Sequence, residues 1–418
     1  MQRPKFESAA HLADSRARER GARSVMLSAR GLWRPVAAAG LAALAGVLAL
    51  SGCGGSGHHT ASLASHTQSV RTVSASRHIR AAQRGPLNVY AHDAVGDLSP
   101  TVRGDPAVVY VPNSMSNTVD EISQRTFKII REFPVGALPQ HVTPSYNLRT
   151  LWVDNDDGNS LTPINPKTGI PGKPVPVEDP YNMYFTPDGR FAIVVAERLQ
   201  RLDFRDANTM KLVHSLPVPD CPGVDHMDFS ANGRYAYASC EFGGRMIEID
   251  VAHQRVLRTL TLNGGNSMPQ DVKLSPNGRT IYVADMNNGG VWEINPTTFH
   301  VKGFIQTGAG AHGLYPSRNA QVMYVSNRSA GSVSVVSFKT NRVLETWQLP
   351  QPASPDMGGV SADGRTLWLS GRYNSVVYAI NTSNGHLRAE IPVGAGPHGL
   401  CVWPQPGRYS LGHTGILR

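Results

Sequence analysis

Between residues 270 and 285 the chain reads strand, turn, strand. Val272 and Leu274 alternate with polar neighbours at the period of two that a half-buried strand requires. Ser275-Pro276-Asn277-Gly278 then supplies turn chemistry, because proline presets φ and Asn-Gly tolerates the positive φ of a tight hairpin. Residues 280–283 are β-branched or aromatic and suit a buried strand.

The same phrase returns along the chain. Thr186-Pro187-Asp188-Gly189-Arg190, Ser230-Ala231-Asn232-Gly233-Arg234 and Ser361-Ala362-Asp363-Gly364-Arg365 each lead into another apolar run. Looser copies end at Val109-Tyr110-Val111, Leu151-Trp152-Val153 and Met323-Tyr324-Val325. The large residue of each second strand falls at positions 110, 152, 193, 237, 282, 324 and 368, spaced 41 to 45 residues apart. Seven units at such a period mean stacked supersecondary modules, not one irregular core. In the fifth unit four strands are expected, over residues 271–274, 280–284, 290–294 and 301–306. Four-stranded antiparallel units repeated seven times predict an all-β fold, a seven-bladed β-propeller, whose radial closure leaves few exposed edges. An open solenoid is the competing architecture. Closure is favoured by the way the ends divide: the first unit lacks a strand of the first type, and residues 397–402 supply one. A C-terminal strand completing the N-terminal blade would lock the ring.

Tyr110-Val111-Pro112-Asn113, Tyr282-Val283-Ala284-Asp285 and Tyr324-Val325-Ser326-Asn327 resemble the motif that names the YVTN propeller repeats. The resemblance covers residues 106 to 404 and implies a seven-bladed propeller in a secreted or cell-surface protein. It implies no single activity, because propellers carry enzymes, ligand binders and scaffolds alike.

The 418 residues carry a formal charge of +9, which suggests nucleic acid until the charge is located. Residues 1–52 hold eight Lys/Arg against three Asp/Glu, and residues 53–86 hold four Arg and no acid. The remainder balances 28 against 28, so nucleic-acid binding by the folded part is discounted. The apolar run over residues 35–50, preceded by Arg30 and Arg34, reads as the core of a signal peptide, with Met26 as an alternative start. It ends Leu50-Ser51-Gly52-Cys53, similar to a bacterial lipobox, so Cys53 is expected to be lipidated. The expected organisation is a signal peptide over 1–52, a tether over 53–86 and a propeller over 87–418. The protein would then be exported and held on the extracytoplasmic side of a membrane by its N-terminal lipid.

Aligning the repeats on their turns places one residue per blade at the head of the innermost strand: His398, His141, Asn182, His226, Asp271, His312 and Met357. Beside this ring, a rim of Asp225, Asp228, Glu241, Asp285, Asp356, Arg328 and Arg372 completes a polar funnel. Such convergence of ionisable groups is the default place to look for a site. The leading expectation is a binding or scaffold role, with a protein or small-ligand partner on the funnel face. The first alternative is a metal centre: His312, Met357, His398 and His141 fall on consecutive blades, and imidazole with thioether suits copper, whereas His226 with Asp225 and Asp271 suits zinc. The nitrous oxide reductase propeller is similar in holding copper through histidines. This chain has no copper-carrying second domain, and it lacks the Cys-x-x-Cys-His of c-type haem attachment. The second alternative resembles the seven-bladed lactonases, with Asp225, His226, Asp228 and Glu241 as base and cation site, although no nucleophile motif accompanies them. Cys221 just precedes the inner strand of blade four and Cys240 ends the strand antiparallel to it, so the two are expected to form a disulfide, while Cys401 reads as a core thiol.

Overall fold

The computed structural model describes residues 87–413 and 415–418. The leader, Cys53 and the tether lie outside the described residues. Among the described residues no helix is long and apolar enough to cross a membrane.

Seven antiparallel sheets follow one another in chain order, each running outward from an innermost strand. Those innermost strands are Cys401–Trp403, Pro139–Pro144, Asn182–Phe185, Val224–Phe229, Pro269–Leu274, Ala311–Pro316 and Pro355–Val360, for blades one to seven. Each packs on the next, and Pro355–Val360 packs back on Cys401–Trp403, so the ring closes. Six sheets have four strands. In blade two the outermost strand is split into Ile170–Pro171 and Val175–Pro176, both paired to Ser160–Asn165. Prolines 171, 174 and 176 lack the N–H that a continuous ladder needs, which accounts for the interruption.

Closure is two-stranded in origin, as the division of the first repeat predicts. Val108–Asn113 pairs with Cys401–Trp403 in the register Val108↔Trp403, Val109↔Val402, Tyr110↔Cys401. Gln124 fixes that register by donating from Nε2 to Val108 O (2.9 Å) and Trp403 O (2.8 Å). The Trp403 indole donates to Asp105 at 3.0 Å.

The turn at residues 275–278 shows how each hairpin is set. Ser275 Oγ donates to Asn277 Oδ1 (2.8 Å), the N–H groups of Arg279 and Thr280 donate to these side chains, and Gly278 takes φ +67°. In the looser copies Leu148 and Ala320 occupy the glycine's place and still adopt φ +61° and +53°. The fold imposes the turn even where the sequence signal fades.

Cys221 and Cys240 are joined by a disulfide that ties the lead-in of blade four's innermost strand to the end of its second strand. Cys401 is buried in the core of blade one and is free.

Candidate functional site

Five of the seven inner strands carry a register slip. In blades four to seven the ladder slips between Val224 and Met227, Pro269 and Val272, Ala311 and Leu314, and Pro355 and Gly358. Blade two slips between Pro139 and His141. Two residues lie in each of the four larger bulges, and a bulge re-aims side chains. Here they turn into the central channel and form two stacked layers.

These layers correct the ring read from the turns. His141, Asn182, His226, Asp271 and Met357 do share one level, but Gly313 and Gly399 hold the equivalent positions of blades six and one. His312 and His398 stand one residue nearer the mouth, level with Gln140, Asp225, Gln270 and Asp356. Six residues separate Pro139, Pro269, Ala311 and Pro355 from the turn residues Ser145, Ser275, Ser317 and Ser361 alike, so the repeat itself sets Gly313 opposite His226 and Asp271 and places His312 one residue earlier. Pro139-Gln140, Pro269-Gln270, Pro355-Asp356 and Pro397-His398 align directly, with Ala311-His312 and Val224-Asp225 beside them. The glycine at 399 is required by geometry: a Cβ there would lie 2.0 Å from His141 Cδ2.

Around Asp356 the outer layer is fully knitted. Arg328 donates to its Oδ1 (Nε 3.0 Å), and His398 Nδ1 donates to Oδ2 at 2.7 Å. His312 Nδ1 is 3.2 Å from Oδ1 and 2.9 Å from the Met357 sulfur. Burial alone would raise the Asp356 carboxyl, but Arg328, His312 and His398 together hold it well below the usual carboxylate range. Within the expected copper set of His312, Met357, His398 and His141, Asp356 engages both His312 and His398, and His141 Nδ1 is bound to Tyr181 O.

Across the channel the pattern reverses. Both carboxylate oxygens of Asp225 and both side-chain polar atoms of Gln140 are buried with no hydrogen-bond partner among the described residues. Burial first, then Glu241 and Glu197, push the Asp225 carboxyl well above its ordinary value. Its Oδ1 lies 3.3 Å from His226 Nε2, near but not aligned as a hydrogen bond.

The sequence reading missed a fifth imidazole, His413. It comes from the C-terminal tail, which no repeat covers. The tail runs into the channel along blade three: Phe185 N donates to Leu411 O (2.9 Å), and His413 N donates to Met183 O (2.8 Å). His413 is fully buried, with its ring 4.7 Å from that of His226 and 5.2 Å from that of His141. Burial, with the neighbouring charges secondary, lowers His141, His226, His312 and His413 well below the usual imidazole value; burial and then Arg372 bring His398 to about 4.

Two of the predicted rim residues lie elsewhere. Asp228 accepts from Leu274 N (2.8 Å) and from Arg418 (2.8 Å), so it anchors the tail on the turn side of the channel. Two positions beyond His226 is the same face only in an unbulged strand. Asp285 receives the N–H groups of Met268, Asn287 and Asn288 and the Trp292 indole, which makes it a hairpin staple. Asn113, Asn155 and Asn327 perform the same task through Nδ2. The final residue of the YVTN-like motif is thus structural. The lactonase-like constellation loses Asp228.

One residue beyond those staples stand Ser114, Asp156, Glu197, Glu241, Met286, Arg328 and Arg372. This level is acidic on blades two to four and basic on blades six and seven. The side chains just outside it include Met115 (76 % exposed), Phe242 (45 %) and Tyr373 (50 %). The turn-side end, in contrast, is covered by the chain's own ends: Tyr90 donates to Leu274 O, Asp93 pairs with Arg318, and Arg418 lies over the Tyr90 ring.

A profile of the YNCE-like beta-propeller family matches residues 69–406. The uncharacterized protein YncE of Salmonella typhi is 30 % identical over 135 residues, a match spanning 32 % of this chain and 37 % of that relative. Solved structures share the fold at lower identity. Hydrazine synthase of Kuenenia stuttgartiensis superposes with a TM-score of 0.57 at 18 % identity, over 68 % of this chain and 97 % of that one. A putative 6-phosphogluconolactonase of Bacteroides uniformis gives 0.55 at 17 % identity, over 71 % and 99 %. A functionally unknown protein of Desulfotomaculum acetoxidans gives 0.59 at 15 % identity, over 71 % and 98 %.

Proposed function

Since the chain belongs to the YNCE-like β-propeller family, we propose that it is a membrane-anchored extracytoplasmic binding protein whose site is the channel mouth opposite the turns. The observation that carries this reading is the composition of that mouth. An ionisable throat divided into an acidic and a basic half is bordered by the exposed apolar side chains of Met115, Phe242 and Tyr373. A concave mouth with convergent ionisable groups and apolar side chains beside them is where a ligand site is expected.

The ligand class follows from Arg372. Its guanidinium donates to Ser114 Oγ (3.0 Å) and Gly396 O (3.3 Å), both neutral, whereas Arg328 beside it is neutralised by Asp356. A small organic acid would place its carboxylate on Arg372 and its apolar body against Met115 and Tyr373. Saturated monocarboxylates of two to eight carbons, titrated calorimetrically, are expected to bind more tightly with chain length. Arg372→Ala should weaken the best of them by about 10–100-fold, the worth of a hydrogen bond to a charged group. Failure of every acid to bind, or an unchanged affinity in Arg372→Ala, would contradict the reading.

Anchoring is proposed through a lipid on Cys53. In the native host the protein should fractionate with membranes and Cys53→Ala should release it to the soluble fraction; a variant that stays membrane-bound would count against the lipid.

A further inference from the structure

We infer that the channel holds a divalent transition-metal ion, of the zinc or copper class, between His141, His226 and the tail residue His413. The site lies deeper than the mouth and stands or falls independently of the organic-acid reading.

The three imidazoles present ligand nitrogens that all lie within 4.8 Å of one another, and all three rings are buried. Each Nε2 is without a hydrogen-bond partner among the described residues. An unpartnered buried polar atom is costly, so three on adjoining buried rings call for a partner between them. Three nitrogens held about 2.0–2.1 Å from one ion lie about 3.3–3.4 Å apart in a tetrahedral site, so loading would draw the rings together by up to about 1.4 Å.

The surroundings orient the rings for that task. His141 Nδ1 donates to Tyr181 O at 2.9 Å, which fixes its proton on Nδ1 and leaves Nε2 as a lone pair. The Asn182 amide spans the other two, 3.0 Å from His226 Nδ1 and 3.2 Å from His413 Nδ1. Its nitrogen faces them here. A half-turn of the amide would bring its oxygen to both Nδ1–H groups and free both Nε2 lone pairs, giving up one bond from Met183 N. Metal loading would select that arrangement. Asn182 is thus a positioning residue that sets two tautomers at once.

A fourth donor is at hand. The Asp225 carboxylate, 3.3 Å from His226 Nε2 and otherwise unpartnered, can complete a tetrahedral set and offset part of the ion's charge. Three imidazoles with a carboxylate suit zinc or copper better than calcium or magnesium, which take oxygen ligands. The site also explains why the tail enters the channel. With His413 as a ligand, the ion would tie the tail to blades two and four.

The test uses the full chain without an affinity tag, stripped with chelator and titrated calorimetrically with Zn2+ and, separately, Cu2+. Co2+ loading is followed by visible absorption. One ion per chain is expected to bind, and Co2+ should give the strong visible bands of a four-coordinate site. His413→Asn should weaken binding by at least about 100-fold and abolish those bands; Asn182→Ser should weaken it by about 10–100-fold, as loss of an orienting partner does. His312→Asn, outside the trio, should leave both readouts unchanged. Thermal melts of the stripped variants separate lost ligation from lost folding. Absence of binding by the native chain, binding that survives His413→Asn, or equal losses in His413→Asn and His312→Asn in folded protein would overturn the proposal.

Discussion

A chain shortened to end at Gly399 is expected to lose cooperative folding altogether. The deletion removes Leu400, Cys401, Val402 and Trp403, all fully buried, together with the tail. At about 1.5–3 kcal/mol for each large buried apolar side chain, the loss approaches the 5–15 kcal/mol that stabilises an ordinary domain. It also exposes Val108–Asn113, whose pairing groups would become a bare edge at the centre of the ring. Circular dichroism during urea titration should show a broad, non-cooperative loss of signal. A sharp transition near the native midpoint would mean that the ring does not depend on its closing strand. Trp403→Ala, costing about 3–5 kcal/mol, provides a graded version.

Acid is expected to unfold the protein steeply below pH 6.5. His141, His226, His312, His398 and His413 are buried and have depressed values in the fold, whereas in the unfolded chain each titrates near 6.5. Protons therefore bind the unfolded chain preferentially. The stability these residues contribute is fully present above pH 6.5 and is lost as pH falls toward their folded values, about 4 for His398. Asp154 and Asp225 act in the opposite sense, since burial keeps them protonated in the fold, and Asp93, raised to about 6, joins them below that pH. Asp105, Glu121 and Asp271 are raised as well, less strongly, so the five imidazoles dominate near pH 6 and unfolding takes up protons there, each net proton worth about 1.4 kcal/mol per pH unit. Urea midpoints of the chelator-stripped chain measured at pH 7.5 and pH 5.5 should differ accordingly. A flat profile between them would show that the imidazoles are not held neutral in the channel.

Much of this architecture is legible in the sequence because it is repeated. Six copies of one turn phrase specify the hairpins, and the missing first strand of unit one points to the C-terminal strand that replaces it. The site is less legible because its geometry departs from the repeat. The bulges around His226, Asp271, His312 and Met357 insert a residue where simple alternation predicts none, which turns Asp228 toward the tail, while His312 and His398 stand one residue before the positions that Gly313 and Gly399 hold in the repeat. Asp285 and its asparagine counterparts look like mouth residues until their hydrogen bonds are seen to close hairpins. His413 is hidden for a different reason: tertiary threading of a non-repetitive tail brings it to the channel, and no periodicity marks it.

In the loaded protein the channel should converge on one ion. Anomalous diffraction from crystals of the zinc- or copper-loaded chain, collected on both sides of the metal's absorption edge, tests it most directly. A single peak about 2.0–2.1 Å from Nε2 of His141, His226 and His413 is predicted. A peak at His312, Met357 and His398, or none in the channel, would contradict the account.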